Sequence, residues 1–536
     1  MKKFTLSMLF MGLIVGSMSA ETVEVTSSEI NAATEGSLLK VLADIPDATP
    51  TTIEFNFDGD AINYNTADCP GFSIANKEIT INGLNKKNGK RVTINGIAYF
   101  MNLTSGSKVT IENLNVEGFK AIAFKMVDGT MLNLKNCNFV NNRDPKNTGG
   151  NNGGVVRAGG GTLTVDKCLF KANKGMGSYG GGAICLYQSS ATAPEMRITN
   201  STFVLNEAIS GGAIAVNVRS GKGSVPSVYI ANCTFANNTI GDRGGAIYMQ
   251  TAEVSGSFAP VIVNCTFVGN INNIVTSDDG GAINLWSRNT TKMTPTIINN
   301  LFAEHYYDPW GTTNRLNDVK AFYLGGEIVG ENTQPQTVEA VVKNNAFAAS
   351  ADKFYTVLPS SDNNFLIDFA ADNIFAATEQ NPWDEADPEY NHKTCVLAGN
   401  LQVAMISEAS KVKGKGLASY EGIEIPTTDQ LGHTRSTSAP TIGAIEMYVE
   451  DANIEDGGTG IEGVKADNEA VKVWAVGNTI YAEGLNAVAP LTVYDLTNKM
   501  IYAGTIENNV PKTMNALVSG VYLAKVGAKT VKFIVK

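Results

Sequence analysis

Asn232-Cys233-Thr234-Phe235-Ala236-Asn237-Asn238, followed six residues later by Gly244-Gly245-Ala246-Ile247, is one copy of a phrase that this chain repeats. The first half recurs as Asn136-Cys137-Asn138-Phe139, Lys167-Cys168-Leu169-Phe170, Asn200-Ser201-Thr202-Phe203 and Asn264-Cys265-Thr266-Phe267. Looser copies are Asn299-Asn300-Leu301-Phe302 and Asn344-Asn345-Ala346-Phe347, and the Phe residues fall at intervals of 31, 33, 32, 32, 35 and 45. Three residues after Phe stands Asn in the first five copies: Asn142, Asn173, Asn206, Asn238 and Asn270. The second half recurs as Gly181-Gly182-Ala183-Ile184, Gly211-Gly212-Ala213-Ile214 and Gly280-Gly281-Ala282-Ile283, with a degenerate Gly153-Gly154-Val155-Val156. Self-similarity at this period is the mark of a stacked repeat.

One unit is too short to close its own core and must bury its apolar residues against its neighbours. Val228-Tyr229-Ile230-Ala231 and Leu163-Thr164-Val165-Asp166 alternate and are rich in β-branched residues, while Gly and Asn punctuate them. Two or three short strands per unit make one coil of a parallel β-helix, with coils about 4.8 Å apart. Identical side chains then lie above one another. Phe stacks on Phe inside. The Asn before each Cys forms an amide ladder at a bend, where Asn tolerates left-handed backbone angles. The Gly pairs mark a turn that needs positive φ or close backbone approach.

The GGAI and F-x-x-N phrases resemble the repeats of polymorphic outer-membrane-protein-type β-helices, within the wider pectate-lyase-like superfamily. That resemblance implies a right-handed solenoid. It leaves function open, because the scaffold hosts lyases, hydrolases, adhesins and passive binders. The helix candidate Gly36 to Ile45, followed by the strands Thr52–Phe57, Ile79–Ile81, Val92–Ile94 and Val109–Ile111, is similar to the usual capped entry of such a solenoid. Asp429-x-x-Gly432-x-x-Arg435 with Pro440-x-Ile442-Gly443-Ala444-x-Glu446 resembles the ending of many bacterial β-helix proteins. It places the end of the solenoid near Tyr448.

The chain has 536 residues, 53 of them Gly, with only 17% charged and a net charge of −11. Mild acidity argues against a nucleic-acid partner. Met1-Lys2-Lys3, the apolar run Phe4 to Val15 and the small residues Ser17-Met18-Ser19-Ala20 read as a secretory signal peptide, residues 1–20. Residues 21–448 are then the capped β-helix, with insertions at Asp308–Arg315 and Trp383–His392 as loops of later coils. Residues 449–463, acidic and Gly-rich, read as a linker. Residues 464–536 alternate as a small C-terminal β-sandwich. Its phrases Val493-Tyr494-Asp495-Leu496, Gly520-Val521-Tyr522-Leu523 and the ending Lys532–Lys536 resemble the sorting domain of Bacteroidetes type IX secretion cargo. That resemblance implies an outer-membrane secretion machinery as partner, and an extracellular or outer-membrane-surface location.

Chemistry is sparse in the sequence. Cys137, Cys168, Cys233 and Cys265 share one slot with Ser201, Asn300 and Asn345, so a small buried position is expected rather than disulfides. Gly175-Met176-Gly177-Ser178-Tyr179-Gly180 matches a dinucleotide fingerprint, but a strand follows it where a helix is needed. No cofactor is expected. His305, His392 and His433 form no metal-ligand pattern. Asp242-Arg243 and Asp278-Asp279 precede Gly pairs, yet flanking coils carry no equivalent carboxylates, and the signatures of polygalacturonase-like hydrolases are absent. No catalytic residue is assigned.

The strand after each Gly pair says more. Ile184/Leu186, Ile214/Val216, Ile247/Met249 and Ile283/Leu285 are apolar and face inward, so the alternate residues face outward. The outward set includes Tyr187, Asn217, Tyr248, Gln250, Asn284 and Trp286, with Arg157 in the coil before. Aromatic faces cover apolar sugar faces and amides bond hydroxyls, so this stripe suits an extended polysaccharide or surface glycan. The expected function is a secreted or surface protein that binds glycans or a surface partner without catalysis. The alternatives are a polysaccharide lyase or glycoside hydrolase on the same scaffold, and a purely structural surface-layer role.

Overall fold

The computed structural model describes residues 20–535 apart from 65–70, 97–99, 105, 144–152, 179, 189–191, 219–223, 253–255, 273–280, 289–291, 304–305, 308–321, 328–337, 339, 349–364, 367–396, 407–409, 448–471, 477, 484–488, 496–499, 508–509, 515–516, 518–519 and 527–528. The protein is all-β, and its first unit is a parallel β-solenoid. Among the described residues three long sheets run along it, successive coils adding one parallel strand to each, and a shorter parallel sheet of four strands accompanies the later coils. The first sheet has 11 strands, from Glu21–Val25 to Val341–Lys343; the second has nine, from Phe72–Ala75 to Phe322–Glu327; the third has 11, from Ala61–Asn63 to Phe365–Leu366.

The repeated phrase is the corner between the first and third sheets. Asn136, Asn200, Asn232, Asn264, Asn299 and Asn344 all take left-handed angles there, with φ between 48° and 58°. Lys167, the exception in sequence, adopts φ 51° at the same corner. A single αL residue turns the chain without lengthening the coil, and Asn is the side chain that does so at least cost. Past the corner, Cys and Phe point inward. Phe139, Phe170, Phe203, Phe235, Phe267, Phe302 and Phe347 stack with ring centres 4.7 to 5.0 Å apart. Before Phe139 the same register holds Val116, Ile94 and Ile62, so the ladder turns aliphatic. Cys137, Cys168, Cys233 and Cys265 are buried and unbridged.

The Asn three residues beyond Phe forms a second, fully interior ladder. Asn206 Nδ2 donates to Phe170 O and to Asn238 Oδ1, both at 3.0 Å, and Asn173 and Asn238 repeat this pattern one coil either way. Each Oδ1 also accepts the backbone N–H of the Asn one coil earlier. The turn's backbone groups, which no sheet satisfies, are paired this way.

At the start, the helix Leu38–Asp44 is N-capped by Ser37 and sets Leu38 and Leu42 into the same core cluster as Val25 and Ile53. This covers the open end of the first coils.

The expected solenoid ending near Tyr448 is corrected by the structure. The segment from Leu401 to Met447 is not a last coil but a strap that folds back over earlier ones. Asn344 Nδ2 donates to Lys415 O, Leu417 N to Asn299 Oδ1 and Asn232 Nδ2 to Thr428 O. Gln430 bridges the hydroxyls of Thr202 and Thr234, and Ala444 N donates to Thr266 Oγ1. The strap thus runs back from Asn344 and then returns. The reason lies on the third sheet's outer face. Val204, Ala236, Val268 and Ala303 follow the inward Phe and point out, where water would meet them. Leu401, Val403, Met405, Val412, Ile442 and Ile445 bury them.

The terminal motif is the strap's lock. Arg435, 3% exposed, donates to Glu446, Asn232 Oδ1 and four carbonyls: those of Thr428, Thr441, Gly443 and Ala444. Burial pulls its pKa down, and the charges of Asp429 and Glu446 oppose that. Asp429, fully buried, accepts from the backbone of Leu431, His433 and Glu446. Gly443 stands at φ 99°, where a Cβ would come 2.8 Å from Thr266 Oγ1.

The chain divides between Gly457 and Gly458. The second unit holds antiparallel sheets of three and four strands, between Lys472–Val476 and Lys529–Val535. Ile480, Ala482, Leu491, Val493, Ala524 and Val526 form a buried cluster of their own there. The leader expected at 1–20, except Ala20, the insertions expected at 308–315 and 383–392 and the linker expected at 449–463 lie outside the described residues.

Candidate functional site: the outer face of the nine-stranded sheet

The second sheet carries the sequence-derived stripe, and strand register sorts it into two rows. Tyr187, Asn217, Gln250 and Trp286 pair directly from coil to coil, and so do Arg157, Cys185, Ala215, Tyr248 and Asn284. The residues between them, Ile184 and Leu186 through Ile283 and Leu285, lie in the solenoid core. The facing derived from alternation is therefore what the structure has.

The exposure differs from the expectation that both rows stand in water. Tyr248 and Asn284 are 0% exposed, Asn217 4% and Gln250 5%, whereas Arg157, Tyr187 and Trp286 remain partly exposed. Part of the cover is the Gly-Gly turn itself. A Cβ on Gly244 would come 3.1 Å from Asn284 Cβ, and one on Gly181 would come 2.6 Å from Ala215 N. One on Gly245 would strike Gly281 O at 1.7 Å. Only glycine permits such approach. The turns close over Ala215 and Asn284 of the second row and leave Tyr187 and Trp286, the ends of the first, partly exposed.

Within the stripe, the Tyr248 hydroxyl donates to Gln250 Oε1 at 2.9 Å, which fixes that amide from below. The Arg157 guanidinium lies 5.7 Å from the Tyr187 ring centre. The Cys185 thiol is pushed up to about 12 by burial, against the opposing pull of Arg157, so it is neutral and no nucleophile.

Other sequence candidates are not brought here. His433 Nδ1 sits 3.3 Å from Asp429 Oδ2, inside the strap. Gly175–Gly180 leads into the strand Ile184–Tyr187, with no helix. His305, His392 and Asp278-Asp279 lie outside the described residues, as do the side chains of Asp242 and Arg243. Among the described residues no three His, Cys, Asp or Glu group as a metal would require. Lys125, directly in register with Arg157, was missed. Its strand Phe124–Met126 lacks the Gly-Gly phrase that drew attention to the others, though its alternation gave the signal. No protein-family model matches the chain, and no curated protein matches it.

Proposed function

We propose that this protein is a secreted or surface-attached β-helix that binds an extended glycan, without catalysis, along the outer face of its nine-stranded sheet. The observation that carries the reading is the row Tyr187–Asn217–Gln250–Trp286, with partly exposed rings at its two ends and two amides between them. Three strand spacings separate the rings, about 14 Å, so one chain can lie on both. Rigid rings supply contact area at little entropy cost, and Asn217 and Gln250, nearly buried, form the polar floor between them. Arg157 borders the Tyr187 end. Tyr248 and Asn284, being covered, act as support for Gln250 and the turn and not as contacts.

The same reading takes the solenoid as right-handed and of the polymorphic outer-membrane-protein repeat type. It takes residues 1–20 as a secretory leader and residues 464–536 as a β-sandwich that directs export to the cell surface. A glycan array on the purified protein tests the binding. Trp286→Ala is expected to weaken the best-bound glycan at least tenfold while the far-UV circular dichroism stays that of the parent. Assays for new reducing ends and unsaturated products on the same mixtures are expected to stay blank. No bound glycan, or full binding by the variant, sinks the reading; product formation replaces it with a lyase or hydrolase.

A further inference from the structure

Charge is segregated along the solenoid. Between Gly118 and Gly180 there are nine Lys and Arg against three acidic residues, in a protein whose net charge is −11. Five of these cations gather on three adjacent coils where the nine-stranded sheet meets the corner before it. Lys125 and Arg157 are in register on neighbouring strands. Arg143 and Lys174 form a parallel bridge at the corner. The Arg143 N–H donates to Phe119 O at 2.7 Å, which sets Lys120 beside it. The two pairs border a single turn. A Cβ on Gly154 would lie 2.9 Å from Lys174 N, and Arg157 follows three residues later, roughly 10 Å along an extended strand.

Like charges facing each other on adjacent strands are destabilising unless opposite charge lies between them. Among the described residues the carboxylates nearby sit at its margins, and Asp144, next to Arg143 in sequence, lies outside them. Glu207 pairs with Lys174, and Asp128 takes the Thr192 hydroxyl. Lys120, Lys125 and Arg143 are exposed. The cations also run directly into the ring row, since Arg157 lies against Tyr187.

We propose that the glycan this face takes is acidic. Its carboxylate or sulfate groups lie on Lys125, Arg143 and Arg157 while a neighbouring sugar ring lies on Tyr187. The proposal rests on the glycan reading above. An anion between stacked cations removes their repulsion, and a guanidinium fork matches a carboxylate or sulfate in two hydrogen bonds. The acidic remainder of the surface repels a polyanion, so the basic band also fixes where along the solenoid it docks.

The test titrates the full chain with four probes: an oligouronate, its carboxyl-reduced neutral counterpart, a sulfated oligosaccharide of equal length, and anionic phospholipid vesicles. An acidic oligosaccharide is expected to bind at least tenfold tighter than the neutral one, with added salt reducing only the acidic binding. The better of the uronate and the sulfate identifies the anion. Lys125→Gln/Arg143→Gln is expected to abolish the acidic preference, leaving neutral binding and the melting temperature as they were. Equal binding of acidic and neutral chains, an unaffected double variant, or binding to vesicles alone overturns the acidic class. Where a neutral chain binds and Trp286→Ala weakens it, the glycan reading stands without the acidic one. Where no oligosaccharide binds, both fall.

Discussion

Asn206 shows how one side chain can hold two coils together. Its amide makes four hydrogen bonds: to Phe170 O and Asn238 Oδ1 as donor, and from the backbone and side-chain N–H of Asn173 as acceptor. All of them are out of water, so Asn206→Ala leaves several buried groups unpaired at about 1–3 kcal/mol each. The expected loss is about 3 kcal/mol or more in chemical denaturation, though no apolar volume of consequence is removed. Phe235→Ala, which deletes one ring from the stack, should cost about 3–5 kcal/mol through lost burial and a cavity. If Asn206→Ala is near neutral, water replaces the ladder. If Phe235→Ala is, the ring is not packed as its 4.8 and 5.0 Å neighbours indicate. The Phe ladder was legible in the sequence, because a fixed period together with alternation assigns each position a side; for the Asn three residues after Phe the sequence showed only that it recurs, and the amide ladder it suggested was at the Asn before Cys. Alternation does not say what lies beyond that side. Tyr248 and Asn284 point outward, as read, and are still buried, Asn284 in part because the Gly244 turn lies against it.

At the scale of elements, the strap is what the sequence reading misplaced. The motif from Asp429 to Glu446 resembles a β-helix ending and so placed the solenoid's end near Tyr448, and short phrases carry no information about a segment that doubles back. A signal existed in Val204, Ala236, Val268 and Ala303. An apolar residue directly after an inward Phe, in four successive coils, is an outward apolar row that something must cover. The lock then determines whether the cover holds. Arg435→Met keeps much of the side-chain volume but leaves the buried Glu446 carboxylate without its cation, a change of about 3–5 kcal/mol. The strap is expected to detach while the coils persist. Trypsin should then cut rapidly at Lys411, Lys413 and Lys415, with the β-sheet circular dichroism retained. A variant as protease-resistant as the parent would show that the apolar row alone holds the strap.

At the scale of the whole molecule, the two units have separate cores, so each can be asked to do without the other. The second unit buries Ile480, Leu491, Val493 and Ala524 among themselves, and the division of the chain falls in the acidic, Gly-rich stretch before it. A unit with its own cluster unfolds on its own account unless an interface couples it to its neighbour. Deleting residues 464–536 is therefore expected to leave the melting temperature of the solenoid where it was. The same deletion addresses export, since the strand phrases ending at Lys532–Lys536 resemble a sorting domain. In the native host the truncated chain should accumulate in the periplasm, with its solenoid folded and protease-resistant. Fractionation that finds it at the surface in parental amounts would remove the sorting role. A solenoid that melts earlier without residues 464–536 would show instead that the second unit stabilises the first. In that case periplasmic retention would have to be re-examined with substitutions confined to Lys532–Lys536, which spare the cluster around Leu491.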